Sequence, residues 1–313
     1  MPLSACQSIA LAHNARHKTS LIVSIGMAFA HPRLPPELET RIFQMAALSR
    51  PTCIPSLMLV ARRVKFWVEP LLYHVVFLSS AVMDEARLPS FTADSIPYDC
   101  FRHVRHLLID QTSSNQTEFE KWLLACTGAT NLFAQFDCTP EILPLLSGFI
   151  NIRYLTVDVR ALLGTTVPLP LFLTVTHLEL LNYTHKSVDR ASENISLIPH
   201  LTHLALNSRL QLSSRWSHAT LCANTQLQCI VFLSPVISLE GSPLLDDSRF
   251  VCIDERINYH SDWLHGAIFG EDYWSLADAF LTARRAGEID RSRYRIVNGG
   301  DFKSAESADD DSD

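Results

Sequence analysis

The chain has 313 residues, 47% of them hydrophobic and 19% charged, with a formal net charge of −7. That composition fits one large or two modest folded domains and excludes a mainly disordered chain. The negative balance, with no basic stripe to offset it, excludes a nucleic-acid footprint.

Residues 1–30 read as an unstructured leader, because the apolar run Leu21 to Ala30 is too short to span a bilayer. Arg16 and Lys18 before this run, and Ala28-Phe29-Ala30 at its end, are the parts of a weak signal peptide. Sequons at Asn115, Asn182 and Asn194 would suit a secreted chain, so secretion stays open as an alternative. Against it stand eight scattered cysteines (Cys6, Cys53, Cys100, Cys126, Cys138, Cys222, Cys229, Cys252) with no Cys-x-x-Cys pair. They read as buried thiols of a reducing compartment, not a disulfide framework or a zinc site.

Residues 31–73 read as a small helical head. Leu38, Ile42 and Met45 share one face of a helix from Leu34 to Leu48. Pro35 and Pro36 suit its first turn, and Arg50-Pro51 stops it. Leu57, Val60, Val64, Val68 and Leu71 predict a second helix over Pro55–Leu72, which Pro70 kinks or ends. Val75 and Phe77 then mark a first buried strand in His74–Leu78.

Residues 74–258 carry a repeat, apolar-x-x-apolar-x-apolar. Its units start at Val104, Ala129, Ile152, Val175, Leu201 and Leu227, at intervals of 25, 23, 23, 26 and 26 residues, with Phe250 and Ile253 as a last strand. A period in the twenties is that of leucine-rich repeats, whose units must stack to bury their apolar faces. The ninth-position asparagine of regular repeats is missing: Thr112, Asp137, Arg160, Tyr183, Arg209 and Pro235 stand there. An α/β fold is therefore expected, with the helical head followed by an irregular leucine-rich-repeat-like solenoid tracing a partial arc.

Strand alternation aligns side chains into columns on the other face. His106, Asn131, Tyr154, His177, His203 and Cys229 form one; Leu108, Phe133, Thr156, Glu179, Ala205 and Val231 the next; Asp110, Gln135, Asp158, Leu181, Asn207 and Leu233 a third. As a target-binding face the candidates are His106, Tyr154, Thr156, Asp158, His177, Glu179, His203 and Asn207. The same face can equally be plain solvated sheet, or lie under the C-terminal segment.

Residues 259–303 are dense in aromatics (Tyr259, Trp263, Tyr273, Trp274, Phe280, Tyr294), and a helix over Tyr273–Arg285 is expected to cap the solenoid's end. Residues 304–313 read as a disordered acidic tail. No phosphate loop, nucleophile elbow or His-Glu-x-x-His occurs. His177, His203 and Glu179 are the best metal-ligand arrangement, but without metal spacing no metal and no cofactor are expected.

Between Leu34 and Tyr73 the chain resembles an F-box. Leu34-Pro35, Glu37-Leu38 and Ile42-Phe43 match its opening, and Val60, Arg62 and Arg63 resemble its Val-Cys-Arg-Arg segment. Ala61 replaces the usual cysteine and Val64 the common tryptophan. Head, degenerate repeats and aromatic C-terminal segment together resemble the F-box-like proteins of mushroom-forming fungi.

The resemblance implies a non-enzymatic adaptor of the cytoplasm or nucleus. Its head, built from Leu34, Pro35, Leu38, Ile42, Phe43, Leu57, Val60 and Val64, would dock on the adaptor subunit of a cullin-RING ubiquitin ligase. Its repeats would hold an unknown target protein for ubiquitin transfer, with no nucleic acid or membrane as partner. A scaffold with no ligase link is the alternative, followed by a secreted recognition protein; a hydrolytic enzyme trails all three.

Overall fold

The computed structural model describes residues 34–78, 91–92, 96–109, 116–135, 143–163, 170–181, 188–207, 215–233, 239–253 and 259–297. The leader, Asp110, the sequons at Asn115 and Asn182 and the acidic tail lie outside these residues. The third sequon residue, Asn194, donates its side-chain amide to the Leu162 carbonyl.

The head opens with α1 (Pro36–Ser49), whose first helical position is a proline that gives up no hydrogen bond there. The expected second helix is split into α2 (Ile54–Met58) and α3 (Arg62–Val68), followed by a 3-10 segment, Glu69–Tyr73. Ala61 takes an extended backbone (φ −160°, ψ 155°), so α3 starts afresh. The split turns both Ile54 and Val64 into one small core with Ala47 and Val68.

Ten strands among the described residues then form one all-parallel sheet. They are β1 (Val75–Leu78), β2 (Phe91–Thr92), β3 (His106–Ile109), β4 (Asn131–Ala134), β5 (Tyr154–Asp158), β6 (His177–Leu181), β7 (His203–Asn207), β8 (Cys229–Leu233), β9 (Phe250–Ile253) and β10 (Arg295–Ile296). The order is β10-β9-β8-β7-β6-β5-β4-β3-β1-β2, sequential except that β2 pairs outside β1. The register joins His106, Asn131, Tyr154, His177, His203 and Cys229 in one row, the column expected from the repeat period.

One face of the sheet carries Leu107, Leu132, Leu155, Leu178, Leu204 and Ile230, which bury against the connecting segments. Those include α4 (Gln116–Ala125), α5 (Arg160–Leu163), α6 (Val188–Ile195) and α7 (Arg215–Ala223). Arg249 ties the end of α7 to β9: it pairs with Asp247 and donates to the Cys222, Asn224 and Leu227 carbonyls.

The expected partial-arc solenoid with an end cap is overturned. The strands form one continuous parallel sheet, and α8 (Tyr259–Phe269) and α9 (Tyr273–Ala286) lie across its second face instead of over its end. The end strand is β10, which the C-terminal segment itself adds. The cause is the apolar content of that face. Phe77, Leu108 and Phe133 at one side, and Ala205, Val231 and Val251 at the other, need cover, and Trp263, Leu264, Trp274, Phe280 and Leu281 supply it. Parallel sheets buried on both faces are the usual solution for such strands.

The two covering helices are joined through Gly270 in a left-handed conformation (φ 74°). Asp272 caps α9 by accepting from the Ser275 N–H at 3.0 Å while Ser275 Oγ accepts from the Asp272 N–H. Gly287, at φ 82°, ends it.

Candidate functional site

Two regions were expected to carry function, and the structure treats them oppositely. In the head, Val64 is buried and Phe43 and Leu57 are half-buried, Phe43 meeting Trp67 with ring centroids 6.4 Å apart. These residues hold the head together. Glu39 accepts from Arg63 Nε and Nη2, at 2.6 Å for the shorter contact, and so clamps α1 onto α3.

Leu34, Leu38 and Ile42 point away from that core, and with Met45 they make a stripe in which every side chain is at least half exposed. Positions four and three apart share one helix face, so the stripe is continuous along α1. Pro35 and Val60 are exposed as well, joined by Leu59 and Phe66, which the sequence reading left out of the site. Their signal was weak because neither falls on the apolar period of the second helix. These exposed apolar side chains lie outside the head's own core.

The sheet face expected to meet a target is covered. Thr156, Asp158, Glu179 and Asn207 are buried, His106, His177 and His203 are half-buried, and only Tyr154 among these candidates is exposed. The reason is packing by α8 and α9. Trp263 donates from Nε1 to Asn131 Oδ1 at 2.8 Å and sets its ring edge-on to Phe77, Phe133 and His106. Trp274 stands edge-on to His177 and His203, whose rings stack at 4.0 Å, with Tyr154 stacked on His177 at 4.3 Å.

Beneath the helices runs a seam of polar groups. Glu179 accepts from Thr156 Oγ1 at 3.0 Å, Asn207 Nδ2 at 3.2 Å and Tyr273 Oη at 3.1 Å. Burial raises its carboxyl above the usual range, and these three donors offset part of that rise. Asp262 accepts from the Tyr273 N–H at 3.3 Å. It is pushed up to about 7, by burial first and then by Asp272 and Glu179. Burial likewise holds His177 neutral, down to about 3, and His106 down to about 4.

Asp158 does not join this seam; its carboxylate takes the Arg160 guanidinium at 2.9 Å and 3.1 Å. Between Glu179, Asp262, Asp272 and Tyr154 lies a void of about 20 Å³, enough for a single water. The seam is therefore dimensioned to hold two helices on a sheet. A second, apolar void of about 50 Å³ lies where the head meets β1 and α8, between Leu48, Ile54, Leu72, Phe77, Leu264 and Ile268.

Of the three residues weighed as a metal-ligand arrangement, Glu179 is engaged by three donors. Among the described residues a different set, His203, Cys229 and Asp278, brings its ligand atoms within 4.8 Å of one another. No helix among the described residues is long and apolar enough to cross a membrane. Comparison of the chain with protein-family models, curated proteins and solved structures returns no match.

Proposed function

We propose that this chain is a non-enzymatic adaptor of the cytoplasm or nucleus, whose helical head docks on the adaptor subunit of a cullin-RING ubiquitin ligase while its body presents a target protein. The observation that carries the reading is the exposed stripe Leu34, Leu38, Ile42 and Met45, turned away from the head's own core. An apolar helix face laid into a partner's groove is a common recognition mode. Of the positions that match the F-box opening, Leu34, Leu38 and Ile42 fall on this stripe, while Phe43 turns toward the head's own core.

With the sheet face covered, the target is met by other surfaces of the body. A scaffold with no ligase link draws support from one observation, the packing of the head on α8 across Leu48, Leu264 and Ile268.

Co-purification with the ligase adaptor separates the two. Leu38→Asp with Ile42→Asp alters half-exposed positions, so folding is retained. Capture by the native chain and its loss in the double variant is the expected result. A native chain that captures no adaptor, or a double variant that captures it as well, refutes the docking role.

A further inference from the structure

We propose that His203, Cys229 and Asp278 form a binding site for a zinc-like divalent metal that pins α9 to the sheet. His203 and Cys229 are register partners on β7 and β8, and Asp278 reaches them from the exposed side of α9. One imidazole, one thiol and one carboxylate are the donor types that zinc takes, and the solvent beside Asp278 supplies an entry path and a fourth ligand. Tetrahedral zinc sets its donors roughly 3.5 Å apart. The three lie within 4.8 Å of one another, with His203 Nε2 and Asp278 Oδ1 3.1 Å apart.

The contacts around His203 fit such a site. Thr202 Oγ1 lies 2.7 Å from His203 Nδ1 and holds the ring from behind, while Nε2 lies 3.1 Å from Asp278 Oδ1. With Thr202 accepting from Nδ1–H, a metal would take the Nε2 lone pair, an Asp278 oxygen and the Cys229 sulfur together.

Burial keeps Cys229 in the thiol form and Asp278 acts in the same direction, with Arg285 and Arg284 opposing them. Binding is then a simple exchange: the metal–sulfur bond forms as the thiol gives one proton to solvent, with no change of oxidation state.

Cobalt(II) titration of the metal-free full chain tests this, because a thiolate-to-cobalt charge-transfer band reports the sulfur ligand directly. The native chain should bind one equivalent with that band and release one proton per metal. Cys229→Ser should lose the band, and Asp278→Asn, an exposed and conservative change, should weaken affinity at least ~10-fold. Zinc should raise the Tm of the native chain and not that of Cys229→Ser. Absence of the band in the native chain overturns the proposal. A band undiminished in Cys229→Ser places the metal on another cysteine and overturns it equally.

Discussion

Replacing Asp262 by asparagine should make the protein more stable at neutral pH and remove much of its pH dependence. The side chain is half-buried in the seam beside Glu179 and Asp272, and an asparagine Oδ1 can still accept from the Tyr273 N–H. The carboxyl is raised from its ordinary 3.8 to about 7, so the folded state holds its proton more tightly than the unfolded chain does.

The sign follows from that. The contribution is fully present below about pH 4 and is lost as pH climbs to about 7. At ~1.4 kcal/mol per pH unit the loss comes to about 4 kcal/mol. Residual solvation of the half-buried group reduces it to roughly 2–3 kcal/mol. Urea unfolding followed by tryptophan fluorescence suits the case, because Trp263 and Trp274 both lie at this seam. Near pH 4 native and Asp262→Asn proteins should unfold together, and at pH 8 the variant should lead by about 2–3 kcal/mol. A difference that stays constant across this range, or a native protein that is the more stable at pH 8, would refute the reasoning.

Other changes test how the covering helices are held. Phe280, fully buried against Ala205, Val231 and Val251, should cost about 3–5 kcal/mol when replaced by alanine, read as a lower urea midpoint; a loss below ~1 kcal/mol would mean that α9 does not seal the face. Gly287→Ala puts a side chain into open space but at φ 82°, so the cost is backbone alone, about 1–2 kcal/mol, measurable as a drop in Tm. An unchanged Tm would show that the helix ends some other way.

Strand positions and register were legible because a single period of apolar residues repeats through the body, and each strand inherits its neighbour's pattern. The row from His106 to Cys229 could be written down from spacing alone. What spacing could not convey is which layer covers that row. Thr156 and Glu179 look like solvated surface until Tyr273, ninety-four residues beyond Glu179, is seen to donate to it. β10 is two residues long and carries no period.

In the head, periodicity found the apolar positions and left them unsorted. Val64 and Val60 sit on the same expected stripe, yet the extended backbone at Ala61 sends one into the core and the other to the surface. The trio His203, Cys229 and Asp278 escaped notice because its third member arrives from a helix seventy-five residues past the first.

The way α8 crosses the sheet also sets a timetable for the chain as it is made. Its Trp263 anchors on Asn131, a sequence separation of 132 residues, and covers Phe77, which is synthesised earlier still. During synthesis the early strands can pair and bury one side, but Phe77, Leu108 and Phe133 wait uncovered until α8 leaves the ribosome. Contacts so distant in sequence slow folding, and apolar surface exposed meanwhile invites aggregation. A chain cut short before α8 would therefore emerge as an adhesive sheet.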